Sequence, residues 1–395
     1  MKVHSLLHQH FAETCPDIHS SRLQAVMDVA FALQKSQSLS LTQMGRHIDN
    51  ASDIKHRIKK VDRLESNEHL HEELAQLYGG LSSYLLSYVA HNANIPIIID
   101  LCYVKDERDI QMLSAEFASR GRTQPLYREV FKSGQLKNRA NLFIGNLANV
   151  IPNDKTIICI MDAAFCEDWF NAIESQGWYW IARVRKPKSI KFPGDNEWTN
   201  LKDFIPTVGH KTKNYDSVLL YREHSHPCRI ITTYKKSNKK RARTKNYMKN
   251  RLTASGRYLS AAKEPWILAT NLPPEFKGVN VVNFYSKRMQ IEESFRDIKS
   301  PQFGLAGRNI RTTCVHRWGV KMLLAAIVQM IFWIIGVIAH SQGLQKIFQA
   351  NTVRDKKVFS NFTLGKLIIE FDKLNEVTID YQKIHHALLR ELKVA

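Results

Sequence analysis

Two aspartates and one helical run of polar residues carry the chemistry that can be read from this sequence. Asp100 closes the apolar run Ile95-Pro96-Ile97-Ile98-Ile99, and Asp162 closes Thr156-Ile157-Ile158-Cys159-Ile160-Met161. Short apolar runs of this kind read as buried strands. Carboxylates at the carboxyl edge of a sheet lie where open α/β folds bind ligands. Oxygen ligands converging there suit Mg2+, which keeps several waters and takes a phosphate substrate. Two such ions about 3.5–4 Å apart can activate the attacking oxygen and stabilise the leaving oxygen of a phosphodiester. Strand-end aspartates also open turns and cap helices, so the pair alone leaves that plainer reading open.

The second group is Tyr285, Arg288, Glu292 and Lys299, at offsets of 3, 7 and 14 from the first. On a continuous helix over 283–300, at about 100° per residue, all four share one narrow arc. Phe284, Ile291, Phe295 and Ile298 form the adjoining apolar stripe. One carboxylate among cations fits a metal ligand beside phosphate-binding groups. The plainer alternative is an amphipathic helix with an Arg288–Glu292 ion pair. Glu293, about 100° around from Glu292, is a rival ligand, as are Asp106, Glu107 and Asp109, and Glu292 is preferred.

The elements that must hold these residues belong to a chain of 395 residues, which predicts about two to four domains. Lysine plus arginine total 57 against 37 acids, a net charge of +20 that favours a polyanionic partner, above all nucleic acid. The composition is globular and excludes a wholly disordered chain. Six scattered cysteines without a CxxC pair read as reduced cytosolic thiols, which excludes a disulfide framework and a zinc site. The polar, histidine-bearing N-terminus does not read as a signal peptide. Residues 322–339 are almost unbroken apolar sequence at the lower edge of membrane-spanning length. Gln329 in its middle, and the lack of a second span, favour a helix buried in a soluble core.

Residues 1–92 read as helical, with a helix-turn-helix entry at 38–45. The following helix buries Ile54, Ile58 and Val61 and leaves Lys55, Lys59, Lys60 and Arg63 outside that stripe, a cationic face for a phosphate backbone or groove. A solvated amphipathic helix is the alternative. From residue 94 the texture turns to mixed β/α, with a hairpin around Ser119-Arg120-Gly121-Arg122. Residues 186–264 read as short strands and contain the block 235–251, with nine cations and no acid. That block, with Lys239, Lys240, Arg241 and Arg243, reads as a DNA-contacting loop. After the apolar helix come two amphipathic segments, 359–374 and 378–392, the second with Ile384, Leu388 and Leu392 in a stripe.

The spacing Tyr285-x2-Arg288-x3-Glu292-x6-Lys299 resembles the Y-R-E-K signature of bacterial DDE transposases of the insertion-sequence-four family, nearest the insertion-sequence-ten transposases. The likeness extends to Ser119-Arg120-Gly121-Arg122, to residues 260–272 and to residues 349–354. It departs from the family where Leu101-Cys102 follows the first aspartate, a position often held by tryptophan and a small polar residue.

The resemblance implies an α/β fold: an RNase H-like catalytic core interrupted by a β-rich insertion, with helical N-terminal DNA-binding and C-terminal helical regions. The corresponding divisions are 1–92 (DNA-end binding), 93–185 (first part of the core), 186–264 (insertion with basic loop), 265–340 (second part of the core) and 341–395 (dimerisation). It implies Asp100, Asp162 and Glu292 as the catalytic and metal-binding triad, for Mg2+ with Mn2+ as a substitute. Tyr285, Arg288 and Lys299 are implied as contacts to end DNA, and Trp266 as a stacking partner for a displaced base, against the alternative of a buried strand residue. The implied activity is cut-and-paste transposition on double-stranded DNA, through a hairpin intermediate, by a homodimer with no membrane partner. It takes place in the bacterial cytoplasm, on the nucleoid when DNA is bound. An RNase H-like nuclease and a non-catalytic DNA-binding transposition inhibitor are the competing classes.

Overall fold

The computed structural model describes residues 3–105, 107, 109–234, 264–353, 356–377 and 381–392, the last without the side chains of 381–384. The basic block 235–251, with Lys239, Lys240, Arg241 and Arg243, lies outside the described residues. In chain order the elements begin with α1 (Val3–Thr14), α2 (Ser20–Ser36), α3 (Leu41–Arg46), α4 (Ile54–Glu65) and α5 (Glu68–Leu86). Next come β1 (Asn94–Tyr103), β2 (Ile110–Ala118), β3 (Thr123–Lys132), α6 (Ala140–Val150), β4 (Thr156–Met161), α7 (Glu167–Glu174) and β5 (Tyr179–Arg183). They are followed by β6 (Ser189–Lys191), β7 (Thr199–Asn200), α8 (Leu201–Phe204), β8 (Lys213–Leu220), β9 (His226–Thr233) and β10 (Trp266–Thr270). The chain closes with α9 (Gly278–Ser286), α10 (Gln290–Lys299), α11 (Val315–Ser341), α12 (Asn361–Glu370) and α13 (Tyr381–Leu392). The chain forms two compact units, residues 1–157 with 289–395 and residues 158–288.

The first unit is organised around α11. This helix is long and apolar enough to cross a membrane, and its apolar window is wholly buried against protein. It is covered by α2, α5, β3 and α12. Each fully buried large apolar side chain contributes about 1.5–3 kcal/mol. Against α12 the backbones nearly touch. A Cβ at Gly336 would lie 1.8 Å from the Asn361 carbonyl, and one at Gly365 1.9 Å from that of Phe332. Near the start of α11, Lys321 is buried, donates to the Leu39 carbonyl at 3.0 Å and pairs with Glu65. Burial draws the Lys321 pKa down and pushes that of Glu65 up, each opposed by the other's charge. Arg317 adds Asp62 at 2.8 Å. The N-terminal helices are thereby tied to the core helix.

The same unit holds the β3-β2-β1 antiparallel ladder, in which Asp100 pairs with Ser114 and Ser114 with Arg128. The hairpin expected at 119–122 is present, with Gly121 at φ 77°. Leu388 and Leu392 of α13 are buried by the chain itself, so this part of the stripe assigned to dimerisation packs inward. All six cysteines are free.

The second unit is a sheet in the order β4-β5-β10-β9-β8-β6-β7. β4 and β5 are parallel and joined through α7, as a parallel pair requires a crossover. The remaining pairings are antiparallel, including the β-rich stretch from β6 to β9. Trp180 is buried, stacked on Phe170 at 3.9 Å, and its indole donates to Glu174 at 2.7 Å.

Two expectations about the elements need correction. Asp100 does not end its strand, because β2 continues to pair with Leu101, Cys102 and Tyr103. The single helix over 283–300 is two helices, α9 and α10, separated at Lys287–Met289. There the bonds tighten, with Lys287 N donating to the Phe284 carbonyl and Arg288 N to that of Tyr285. Phe284 and Tyr285 bury in one unit while Ile291, Phe295 and Ile298 bury in the other. The two sets of apolar side chains serve different cores, and the chain turns between them.

Removing one member of the Lys321–Glu65 pair strands a buried charge. Glu65→Ala is expected to lower the unfolding free energy by about 3–5 kcal/mol, measured by urea denaturation. The apolar double substitution Glu65→Leu with Lys321→Met is expected to cost far less.

Candidate active site

In the first unit, Asp100 is buried in β1, and its Oδ1 accepts from Leu101 N at 2.8 Å. Alternation along the strand puts Cys102 on the same face. Burial pushes the Cys102 thiol up to about 11, opposed by the nearby Lys299 ammonium and reinforced by Asp100. Lys299, at the end of α10, donates to the Tyr103 carbonyl at 2.9 Å. The C-terminal stretch of β1 and the last turn of α10 therefore share one electrostatic neighbourhood.

Glu292 is exposed in the first turn of α10, where the helix dipole favours a carboxylate. Its rival Glu293 accepts from Arg122 at 2.8 Å and also pairs with Arg296. Glu107 and Asp109 both face Lys105 at 3.7 Å, and Asp106 lies outside the described residues. Asp297, buried one turn after Glu293, has its carboxyl pushed up to about 7 by burial, opposed by Arg122 and Arg296.

In the second unit, Asp162 follows β4 directly, as expected, and its Oδ1 accepts from Ala164 N at 2.8 Å in a turn that leads towards α7. Tyr285 is buried on α9. Burial pushes its phenol up, opposed by Arg288, Arg183 and Arg185 and reinforced by Asp162. Trp266, half-buried at the start of β10, meets the Tyr285 ring edge-to-face at 4.9 Å. Arg288 sits in the turn after α9.

Arg183, which the sequence reading passed over, belongs to this group. It ends β5, burial pulls its guanidinium pKa down, and its Nε is buried without a hydrogen-bond partner among the described residues. Its signal was available: a cation closing an apolar strand, as the aspartates do. The half-buried guanidinium lies near Tyr285, Arg185, Arg288 and Glu264, a mainly cationic group that suits an anion.

The four signature residues thus divide between the units, with Tyr285 and Arg288 in one and Glu292 and Lys299 in the other. Asp100, Asp162 and Glu292 are all carboxylates, the residue type that a hard divalent cation takes as ligand. Among the described residues, no three His, Cys, Asp or Glu side chains are gathered as a metal group. On α4, Lys55, Lys59 and Arg63 are exposed, with Lys55 near Asp53 at 3.8 Å. Lys60 instead turns back to Asp28 at 2.5 Å.

Strand-borne carboxylates and a cationic, aromatic cluster have the chemistry that a phosphodiester substrate calls for. Residues 135–330 match the family described as transposase DDE domain. The match covers about half of the chain and supports a transposase. It takes in Asp162, Trp266, Tyr285, Arg288, Glu292 and Lys299 and begins after Asp100. A search of curated proteins found no match.

The raised pKa of Asp297 sets a pH dependence. The folded state keeps this proton after the unfolded chain has lost it. The stabilisation is therefore complete below about pH 4 and lost as pH rises through about 7. Asp297→Asn is expected to remove this downward slope, on the order of 4 kcal/mol across that window, read from chemical denaturation at several pH values.

Proposed function

We propose that this chain is a cut-and-paste DNA transposase that binds the inverted ends of its element, cleaves them and joins them to target DNA. The observation that carries the reading is the match to a transposase DDE domain over residues that include both Asp162 and Glu292. In this reading an RNase H-like core, interrupted by the β6–β9 stretch, presents Asp100, Asp162 and Glu292 to the scissile phosphate. These three would hold Mg2+, or Mn2+ in its place. When bound, such ions activate the attacking oxygen and stabilise the leaving one.

The protein groups orient the DNA. Arg288, Arg183 and Lys299 offer charge-assisted hydrogen bonds to phosphates flanking the cut, and the Tyr285 phenol adds a donor. Trp266 offers a face for a base displaced by a hairpin intermediate. The exposed cations of α4 supply phosphate contacts to the transposon end. Pairing of two ends calls for two protomers. The setting is the cytoplasm, on the nucleoid when DNA is bound.

The test is a cleavage and strand-transfer assay on duplexes carrying the terminal repeats that flank this reading frame, with Mg2+. Asp100→Asn, Asp162→Asn and Glu292→Gln are each expected to abolish cleavage while end binding survives. Cleavage without joining by the unmodified protein would point to a nuclease, and binding without cleavage to an inhibitor. Neutralising Lys55, Lys59 and Arg63 together is expected to flatten the dependence of log K on log salt by a slope of about 3, measured by titrating end-DNA binding across salt concentrations.

A further inference from the structure

α10 has ten residues and no side-chain hydrogen bond at its N-cap. It carries the exposed Glu292, whose placement matters if it is the catalytic carboxylate. Its apolar stripe, Ile291, Phe295 and Ile298, is non-directional and does not by itself prevent a short helix from rotating or sliding. Directional contacts come from two arginines of the β2–β3 hairpin, from Gln329 of α11 and from Lys299, which donates to the Tyr103 carbonyl.

Arg122 Nη1 donates to Glu293 at 2.8 Å, and its Nη2 lies 3.7 Å from Asp297, one turn further on. One guanidinium therefore spans successive turns of the helix. Arg122 is itself held. Its carbonyl accepts from Ser119 Oγ at 2.7 Å and from Ser119 N at 3.0 Å, and its Nη2 reaches Ser360 Oγ at 3.4 Å.

Arg128, fully buried with Glu116, donates to Ser294 Oγ at 3.3 Å. Gln329 of α11 donates to the same hydroxyl at 3.3 Å and to the Ser294 carbonyl at 3.4 Å. Asp100, Ser114 and Arg128 stand in one row across three strands. The anchor for Ser294 thus starts from the row that bears Asp100.

We propose that Arg122 is a positioning residue: together with Arg128 it sets the angle and register of α10, and so holds Glu292 at a defined place relative to Asp100. The pairing also turns Glu293 toward the hairpin, while Glu292 is exposed on that turn. This inference rests on the reading of Glu292 as catalytic.

The test uses the full-length protein and a duplex carrying the element's terminal repeat. Arg122→Ala is expected to slow single-turnover cleavage about 10- to 100-fold with end-binding affinity unchanged. Arg122→Lys, which keeps the charge without the fork, is expected to recover part of that loss. Hydrogen–deuterium exchange without DNA or metal is expected to quicken within 290–299 in the alanine variant. Wild-type cleavage by Arg122→Ala, or cleavage and end binding falling together, overturns the proposal. If the alanine variant does not fold, Glu293→Gln carries the same expectations and the same overturning results. Glu292→Gln separates the two levels: its retained cleavage sinks the catalytic assignment. Its inactivity alongside a fully active Arg122→Ala sinks only the positioning role.

Discussion

An apolar helix of 27 residues has to be covered along its whole length, and the first unit is the solution to that constraint. Every face of α11 meets a different element, and elements far apart in sequence are brought together by covering it. Helices from before the first strand, a strand of the ladder and helices from after α11 all pack on it. Non-directional burial would leave their mutual register loose, so polar contacts specify it. Lys321 with Glu65 fixes one end of the helix, and the close approach at Gly336 and Gly365 fixes the far half. Such buried ion pairs contribute little net stability, and what this one adds is a directional link between α4 and α11.

The candidate site inherits that organisation. α10 lies on the three-stranded ladder and exchanges hydrogen bonds with α11 through Gln329 and Ser294. The polar residue that interrupts an otherwise apolar helix is thus spent on the helix bearing Glu292. In the second unit the logic differs. There the cations Arg183, Arg185 and Arg288 gather around a buried tyrosine, and burial, with the charges of Arg185 and Arg288 added, pulls Arg183 down while Glu264 and Tyr285 oppose it.

What the sequence made legible were features with local causes. The apolar runs became β1, β4, β5 and β10, the Gly121 turn became a hairpin, and the apolar helix was recognisable as a buried one. Asp162 was placed correctly because β4 ends at Met161, the last of its residues paired with β5. Asp100 was misplaced because the partner that prolongs β1 comes from β2, which no local pattern announces. The helix break at 287–289 was missed for a similar reason. No glycine or proline marks it, and its cause is that Tyr285 and Phe295 serve different cores. Arg122 read only as part of a hairpin turn and Arg128 drew no reading, because their partners on α10 are met only in the tertiary structure.

The covering of α11 also has a consequence in time. The helices and strand that shield much of it are translated before it, but α12, whose backbone closes on Gly336 and Phe332, emerges only after it. During that interval the nascent chain displays, on one side, a stretch that the membrane-insertion machinery could accept by length and hydropathy. The early helices, with Glu65 ready to receive Lys321, compete with the bilayer for the same segment. The order of elements along the chain thus sets how long that stretch stays partly uncovered.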